Sequence, residues 1–176
     1  MSARYGRVAM GLHWLMAVLV IGLIGWGMWM ADLPKGPERG WAFGIHKSFG
    51  LLALMLIMLR LGWRIGHRPP PNPALSSVEA RLAQGAHHLL YVLLVVVPLM
   101  GLTSVNFTKY PLKFFGITLP KPGWPDEALN ALFSSTHKFL AWTLAAMIVL
   151  HIAAAIRHAL RRDGTLQRML PGGGTG

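Results

Sequence analysis

Residues 137–151 of the chain have the sequence HKFLAWTLAAMIVLH, in which a histidine stands at each end of an apolar run. His137 and His151 are fourteen residues apart, which corresponds to about 21 Å along an α-helix. The same spacing returns the second side chain to within about 40° of the face of the first. Residues 139–156 carry no charge, so the run is long enough for the apolar part of a membrane-spanning helix. It therefore predicts one helix that presents imidazoles on a single face at two depths of a membrane.

The composition of the whole chain is typical of a membrane protein. Hydrophobic residues make up 53% of the 176 residues and charged residues only 13%, whereas about 25% of the residues of a soluble domain are charged. The second apolar stretch spans only if Lys47 and Arg60 face protein or cofactor, because its uncharged centre is short. We predict an all-α integral membrane protein, a four-helix transmembrane bundle in which residues 1–170 form a single domain and residues 171–176 a disordered tail. The predicted spans cover approximately residues 8–31, 41–65, 82–107 and 128–160.

The distribution of charge excludes one class of function and predicts an orientation. The net charge of +11 does not indicate nucleic-acid binding, because the basic residues stand in short clusters between apolar stretches. Basic residues outnumber acidic residues by ten to two on the side of the two termini and by seven to four on the other side. The cytoplasmic side of a membrane protein carries the excess of lysine and arginine. We therefore predict that both termini are cytoplasmic, that membrane lipid surrounds the bundle, and that residues 109–125 lie at the interface.

Depth in the membrane sorts four histidines into two pairs. His46 lies near the outer end of span two, at the depth of His137, and His13 lies near the inner end of span one, at the depth of His151. Imidazole is a good ligand for iron, and two imidazoles on one iron leave no open position for oxygen. The chain has no cysteine, which excludes thiolate-held iron–sulfur clusters and covalently attached c-type haem. We predict two b-type haems that transfer electrons, one held by each pair.

Several residues near these pairs have two interpretations. Gly50, one turn after the histidine of span two, leaves clearance for a flat macrocycle or merely allows close helix packing, and the same holds for Gly27 in span one. Arg60 lies near the inner pair, where its guanidinium either pairs with a haem propionate or marks the membrane interface. Lys47 and Lys138 adjoin the outer pair and either bind the propionates of that haem or anchor the chain at the interface.

The remaining histidines are assigned by their depth. His87 and His88, at the inner end of span three, are rivals of His13 as ligands of the inner haem. His158 follows the inner ligand of span four by seven residues, about 10 Å along a helix. It lies too far toward the cytoplasm for the same iron, and we interpret it as a group that hydrogen-bonds a quinone or relays protons. His67 stands in a loop, where we expect it to be solvated.

Seven short motifs follow one another along the chain: Leu12-His13-Trp14, IHKSFG at 45–50, LRLGWR at 59–64, AHHLLY at 86–91, PLMG at 98–101, His137-Lys138 and HIAAA at 151–155. Each motif is weak, but the ordered set is specific and covers nearly the whole chain. The set resembles the bacterial cytochrome b-561 family, small four-helix di-haem cytochromes of the inner membrane.

The resemblance implies the same two ligand pairs, electron exchange with ubiquinone, and a place in the bacterial inner membrane. A member of the family is a superoxide oxidase, in which superoxide gives its electron at the outer haem and quinone is reduced at the inner side. The resemblance thus implies an enzyme, a superoxide:quinone oxidoreductase. In this chain Lys47 and Lys138 would attract the superoxide anion, or equally contact lipid headgroups, and His158 would supply protons to the reduced quinone.

Two other functions remain as alternatives. The fold also resembles the cytochrome b anchor subunits of hydrogenases and formate dehydrogenases, which pass electrons between iron–sulfur clusters of a partner and quinone. Short loops and tails favour a chain that acts alone, because an anchor needs a docking surface. The second alternative is a channel or scaffold without redox function. If the purified protein showed no Soret band, this alternative would be favoured over both redox functions.

Overall fold

The structure, a computed structural model, describes residues 4–67 and 71–170. It contains four long helices: α1 (Arg7–Asp32), α2 (Pro37–Gly66), α3 (Ser77–Asn106) and α4 (Glu127–Leu160). Each helix is long and apolar enough to cross a membrane, which confirms the predicted four-helix transmembrane bundle. A hairpin of strands β1 (Leu112–Phe114) and β2 (Ile117–Leu119) and a 3-10 helix (Leu166–Met169) are the other elements of the described chain. The predicted tail, residues 171–176, lies outside the described residues.

Helices α2 and α3 begin earlier than the apolar stretches predict, because capping residues extend them into polar sequence. Pro37 stands in the first turn of α2, where its fixed φ suits a helix and its missing N–H costs no hydrogen bond. Ser76 and Glu79 form a capping box at the start of α3. At the start of α4, the Asp126 carboxylate accepts a hydrogen bond from the backbone N–H of Leu129 at 2.9 Å. The predicted second and third spans are therefore the apolar parts of longer helices.

The helices pack most extensively as α3 on α4, followed by α1 on α2 and α2 on α3. Val20, Leu93, Val97 and Leu144 form a buried cluster that joins α1, α3 and α4. Many large apolar side chains point away from the bundle instead, and Phe139 of α4 is 71% exposed. Helices that are apolar on their outward faces as well as inside are typical of membrane spans. The bundle thus places the inward face of α4 against its neighbours and leaves the outer faces to lipid.

The connection between α3 and α4 contains the hairpin, which the sequence pattern does not predict. Strands β1 and β2 pair antiparallel, with Leu112 opposite Leu119. Phe115 and Gly116 have φ angles of 46° and 91°, the positive values that a tight two-residue hairpin turn requires. The hairpin lies against α2, where the buried hydroxyl of Ser48 accepts a hydrogen bond from the backbone N–H of Phe115 at 3.0 Å. It therefore covers one end of the bundle.

The chain after α4 folds back across the opposite end of the bundle. Arg162 and Gly164, with φ angles of 54° and 81°, turn the chain. The indole N–H of Trp14 then donates a hydrogen bond to the carbonyl oxygen of Met169 at 2.8 Å. We call this end the terminal side and the other end the hairpin side. The terminal side comprises residues 4–14, 60–67, 71–91 and 151–170, and the hairpin side comprises residues 26–50 and 97–138.

Candidate functional site

The structure brings together both pairs of histidines that the sequence pairs by depth. On the hairpin side, the ring centroids of His46 and His137 are 6.1 Å apart, with an angle of 85° between the ring planes. On the terminal side, the centroids of His13 and His151 are 6.2 Å apart, with an angle of 71°. One face of α4 thus supplies an imidazole to each pair, at the two ends of the bundle.

These separations suit two imidazoles on opposite sides of one iron. An imidazole nitrogen binds a transition metal at about 2 Å and the ring centre lies roughly 1.1 Å further away, so two opposed imidazoles have centroids about 6 Å apart. Within residues 4–67 and 71–170, no group of three or more His, Asp or Glu side chains is arranged to hold a metal ion. Two imidazoles on opposite sides of an iron leave its other positions to a macrocycle, so the chemistry of each pair fits the donor set of a b-type haem.

The His137 ring is oriented by the backbone of α3. Its Nδ1 lies 2.8 Å from the carbonyl oxygen of Val97, and because a carbonyl only accepts, Nδ1 carries the proton and donates. The Nε2 lone pair is then free for a metal, the arrangement that ligating histidines generally have. A Cβ atom on Gly101 would lie 3.0 Å from Nδ1 of the ring. Glycine at this position therefore lets the imidazole reach the carbonyl, a role that the sequence analysis did not identify.

The His46 ring is held by packing alone. Its Nδ1 is buried and has no hydrogen-bond partner among the described residues, although buried polar atoms are nearly always paired. Gly27 lies against this ring, and a Cβ atom there would be 3.3 Å from the ring carbon Cε1. A Cβ atom on Gly50, by contrast, would meet nothing within 4 Å. Gly50 therefore does not serve close helix packing, and its role in leaving clearance for a macrocycle stays a prediction.

The terminal-side pair is surrounded by charged and polar side chains. Nη2 of Arg60 lies 3.2 Å from Nδ1 of His13. The His87 ring is 5.5 Å from the His151 ring. The neighbouring rival, His88, is exposed. Of the two, only His87 therefore faces the pair, and the structure leaves it as an alternative ligand on this side.

The other predicted site residues lie at the two ends of the bundle. Lys47 is half-buried and Lys138 is exposed, each next to a histidine of the hairpin-side pair. Nδ1 of His158 lies 2.5 Å from a carboxylate oxygen of Asp163. Burial raises the pKa of the Asp163 carboxyl, but hydrogen bonds from His158 and Thr165 outweigh this effect and lower the pKa from 3.8 to about 2.

Asp163 was missed in the sequence because it lies outside the spans. Its position three residues beyond the end of α4, together with the turn at Gly164, is what folds the carboxylate back onto His158. A histidine in the last turn of a helix followed by an acidic residue was the available signal. His67, predicted to be solvated, is exposed and stacks on Trp63 with ring centroids 3.9 Å apart.

Comparison with known proteins now identifies the family. Residues 4–172 match the family described as "Prokaryotic cytochrome b561". The chain belongs to the prokaryotic cytochrome b561 family. As a cytochrome b561, it is a haem-binding, multi-pass protein of the bacterial inner membrane that takes part in electron transport, as the motifs predicted.

Relatives of this cytochrome b561 cover nearly the full length of the chain. "Cytochrome b561 homolog 2" of Escherichia coli (strain K12) is 33% identical over 181 residues, covering 95% of this chain and 91% of the relative. "Probable superoxide oxidase CybB" of Yersinia pestis is 29% identical, covering 97% of this chain and 98% of the relative. "Cytochrome b561 homolog 1" of Escherichia coli (strain K12) is 27% identical, covering 96% and 97%.

Proposed function

We propose that the protein holds two b-type haems, one at each imidazole pair, and transfers electrons from superoxide on the periplasmic side to ubiquinone in the membrane. The observation that carries the proposal is the pair of ring separations, 6.1 Å on the hairpin side and 6.2 Å on the terminal side, with α4 contributing to both. His46 and His137 would hold one haem, and His13 and His151 would hold the other. With both termini cytoplasmic, as the charge distribution favours, the hairpin side faces the periplasm.

Oxidation of superoxide by ubiquinone consumes two protons, which we propose come from the cytoplasmic side. Two superoxide anions each release one electron and leave as dioxygen, and ubiquinone takes up both electrons and two protons to become ubiquinol. The haems, when bound, supply centres that accept and pass on one electron at a time. The protein must therefore attract an anion at one end and deliver protons at the other.

On the hairpin side, lysines provide the attraction. Lys47 stands next to one ligand and Lys138 next to the other, while Lys121 is near enough to Lys47 for the two charges to repel each other. The Nζ of Lys121 donates hydrogen bonds to the carbonyl oxygens of Thr108 and Tyr110. A cluster of fixed positive charge raises the local concentration of a small anion and its rate of encounter. The relative named a probable superoxide oxidase supports superoxide as that anion.

On the terminal side, His158 is the group that we propose to protonate the quinone. Its Nδ1 proton is directed to the Asp163 carboxylate, so Nε2 is the atom that carries a second, transferable proton to a quinone oxygen. The contact with Asp163 keeps the ring in one orientation. Arg157 and Arg161, which lie 3.5 and 2.9 Å from the Glu79 carboxylate, are also near this helix end.

Rapid mixing of the purified protein with superoxide tests the proposal. Oxidised haem should be reduced at a rate approaching diffusion, and added ubiquinone should reoxidise it with ubiquinol as the product. Haems that stay oxidised in superoxide but are reduced by ubiquinol would contradict superoxide as donor, and would favour a relay subunit that serves another enzyme.

A further inference from the structure

A cleft on the terminal side opens between the start of α1, the end of α2 and α3. Its lining includes Tyr5, Arg60, Arg64, Tyr91 and Met169. The guanidinium carbons of Arg60 and Arg64 lie 5.4 and 5.3 Å from the centre of the Tyr91 ring. Two half-buried cations, one helical turn apart on α2, therefore converge on one aromatic ring at the edge of the cleft.

Among the described residues, no side-chain carboxylate pairs with either of these two arginines. The chain contains six acidic residues, all of them among the described residues. Glu79 pairs with Arg161 at 2.9 Å and Asp163 pairs with His158 at 2.5 Å. The other four stand at helix ends on the hairpin side: Asp32, Glu38, Asp126 and Glu127. Because half-buried like charges without counter-ions are costly, the cleft calls for a negative group that the described side chains do not supply.

The contact between Arg60 and His13 indicates which group this is. A guanidinium only donates hydrogen bonds, so Nδ1 of His13 accepts from Arg60 at 3.2 Å and carries no proton. An imidazole that binds a metal through Nε2 carries its proton on Nδ1 instead. The two arrangements exclude each other. When His13 becomes a ligand, Arg60 needs a new acceptor within reach of the metal site.

The segment after α4 closes the cleft from the terminal side. The guanidinium of Arg4 donates hydrogen bonds to the carbonyl oxygens of Gln167 and Leu170, at 3.2 and 2.5 Å. The backbone N–H of Tyr5 donates to the carbonyl oxygen of Arg168 at 3.3 Å, and Arg168 itself is buried. These bonds hold residues 166–170 across the cleft, so a group inside the cleft is partly shielded from bulk water. Guanidinium–anion pairs are stronger when they are shielded from water.

We propose that Arg60 and Arg64 form a two-guanidinium site that binds the paired propionate carboxylates of the haem at the His13–His151 pair. The inference rests on the proposed function, since it requires haem at that pair. The site has the right chemistry because a guanidinium binds a carboxylate through two parallel hydrogen bonds. Its consequence is electrostatic. Two positive charges near the propionates favour the reduced, more negative form of the haem and keep both carboxylates ionised.

Spectroscopic redox titration of the full-length protein in lipid nanodiscs tests the site. In Arg64→Gln, we expect the reduction equilibrium constant of one haem to fall roughly tenfold, which for one electron equals about 59 mV, while the other haem is unchanged. Its midpoint potential should also become more dependent on pH near neutrality, because a propionate without its guanidinium is protonated at higher pH. Arg64→Lys should restore most of the potential, and Arg7→Gln, which removes an exposed charge on the same side, should change neither haem.

Three outcomes would overturn the inference, and they differ from one another. An Arg64→Gln protein with both haems present and both potentials unchanged contradicts the propionate site alone. A shift that occurs only in nanodiscs containing anionic phospholipid, and without a change in pH dependence, identifies a lipid phosphate as the ligand. A wild-type protein that holds a single haem contradicts the proposed function, and the propionate site with it. Haem content is measured independently by the pyridine haemochrome spectrum, so the first and third outcomes are distinguishable.

Discussion

The two imidazole pairs have almost the same ring separation but different surroundings. On the hairpin side, one ring is held by the Val97 carbonyl oxygen at 2.8 Å and glycines lie against both rings. On the terminal side, a Cβ atom on Gly11, Gly62 or Gly85 would meet nothing within 4 Å, and a guanidinium and a third histidine adjoin the pair. The hairpin-side pair is thus oriented mainly by backbone and packing, and the terminal-side pair mainly by charge and hydrogen bonding.

Because the surroundings differ, substitutions near the two pairs should have different effects on their cofactors. A change of shape near the hairpin-side pair should weaken binding of its cofactor, because ring orientation there depends on close contacts. A change of charge near the terminal-side pair should alter the potential of its cofactor more than the binding.

Removal of a single ligand should have the largest effect. We expect His137→Ala or His46→Ala to abolish the hairpin-side haem and leave the terminal-side haem, so that haem content falls by half. His13→Ala should do the reverse. Pyridine haemochrome assays and low-temperature α-band spectra of the purified variants measure both quantities.

Two variants of α3 serve as controls for the ligand set. His88→Ala removes an exposed imidazole and should leave both haems in place. His87→Ala should also retain both. Retention of both haems in His13→Ala, together with loss of one in His87→Ala, would instead assign His87 as the ligand on the terminal side.

Gly101→Ala should weaken the hairpin-side site without removing a ligand. The added Cβ would lie 3.0 Å from Nδ1 of His137 and would disturb the hydrogen bond that orients the ring. Loss of such outer-shell support typically costs about 10–100-fold in metal affinity, so we expect a loss of that size, measured by haem transfer to apomyoglobin. Gly22→Ala is the matched control, because a Cβ there meets nothing within 4 Å. Equal haem loss from both variants would show that the effect is general helix packing.

Lysine substitutions on the hairpin side should slow the encounter with superoxide. For Lys47→Gln or Lys138→Gln we expect the second-order rate of haem reduction to fall roughly threefold at low ionic strength, since each removes part of the attracting field. The difference from wild type should shrink with added salt. Lys35→Gln, an exposed lysine between α1 and α2, is the control. A salt-independent loss would indicate a local structural effect instead of steering.

The pair of His158 and Asp163 should make a small, pH-dependent contribution to stability. The pKa of the Asp163 carboxyl is lowered from 3.8 to about 2 in the folded protein. Its stabilising effect is therefore fully present above the ordinary value and is lost as the pH falls from about 4 toward 2.

Asp163→Asn should accordingly lower the unfolding temperature at pH 6 by an amount equivalent to about 1 kcal/mol or less, and the deficit should vanish near pH 2. Thermal unfolding in detergent at several pH values measures this. Asp32→Asn, an exposed residue at the end of α1, should show no such trend. A deficit that is the same at every pH would mean that the carboxylate charge is not responsible.

Much of the fold was predictable because a membrane imposes strong constraints on sequence. A span must be apolar over its full length, and a buried imidazole must have a partner, so long uncharged runs and their histidines are conspicuous. The start of α3 was less predictable from apolar residues, because the capping box of Ser76 and Glu79 begins the helix within a polar stretch. The hairpin was not predicted, since its two strands are too short to show a pattern.

The sequence alone thus determined the four spans, the pairing of histidines by depth, and the use of one face of α4 for both pairs, because helical geometry converts a spacing of fourteen residues directly into depth and direction. Only the tertiary structure decided which neighbours matter. Gly101 and Val97 orient His137. His87, and not His88, faces the terminal-side pair, and Arg64 joins Arg60 at a cleft without side-chain carboxylates. These relations depend on which helices pack together and how they are rotated. Helix rotation is set by contacts between residues far apart in the chain, which a local sequence pattern does not contain.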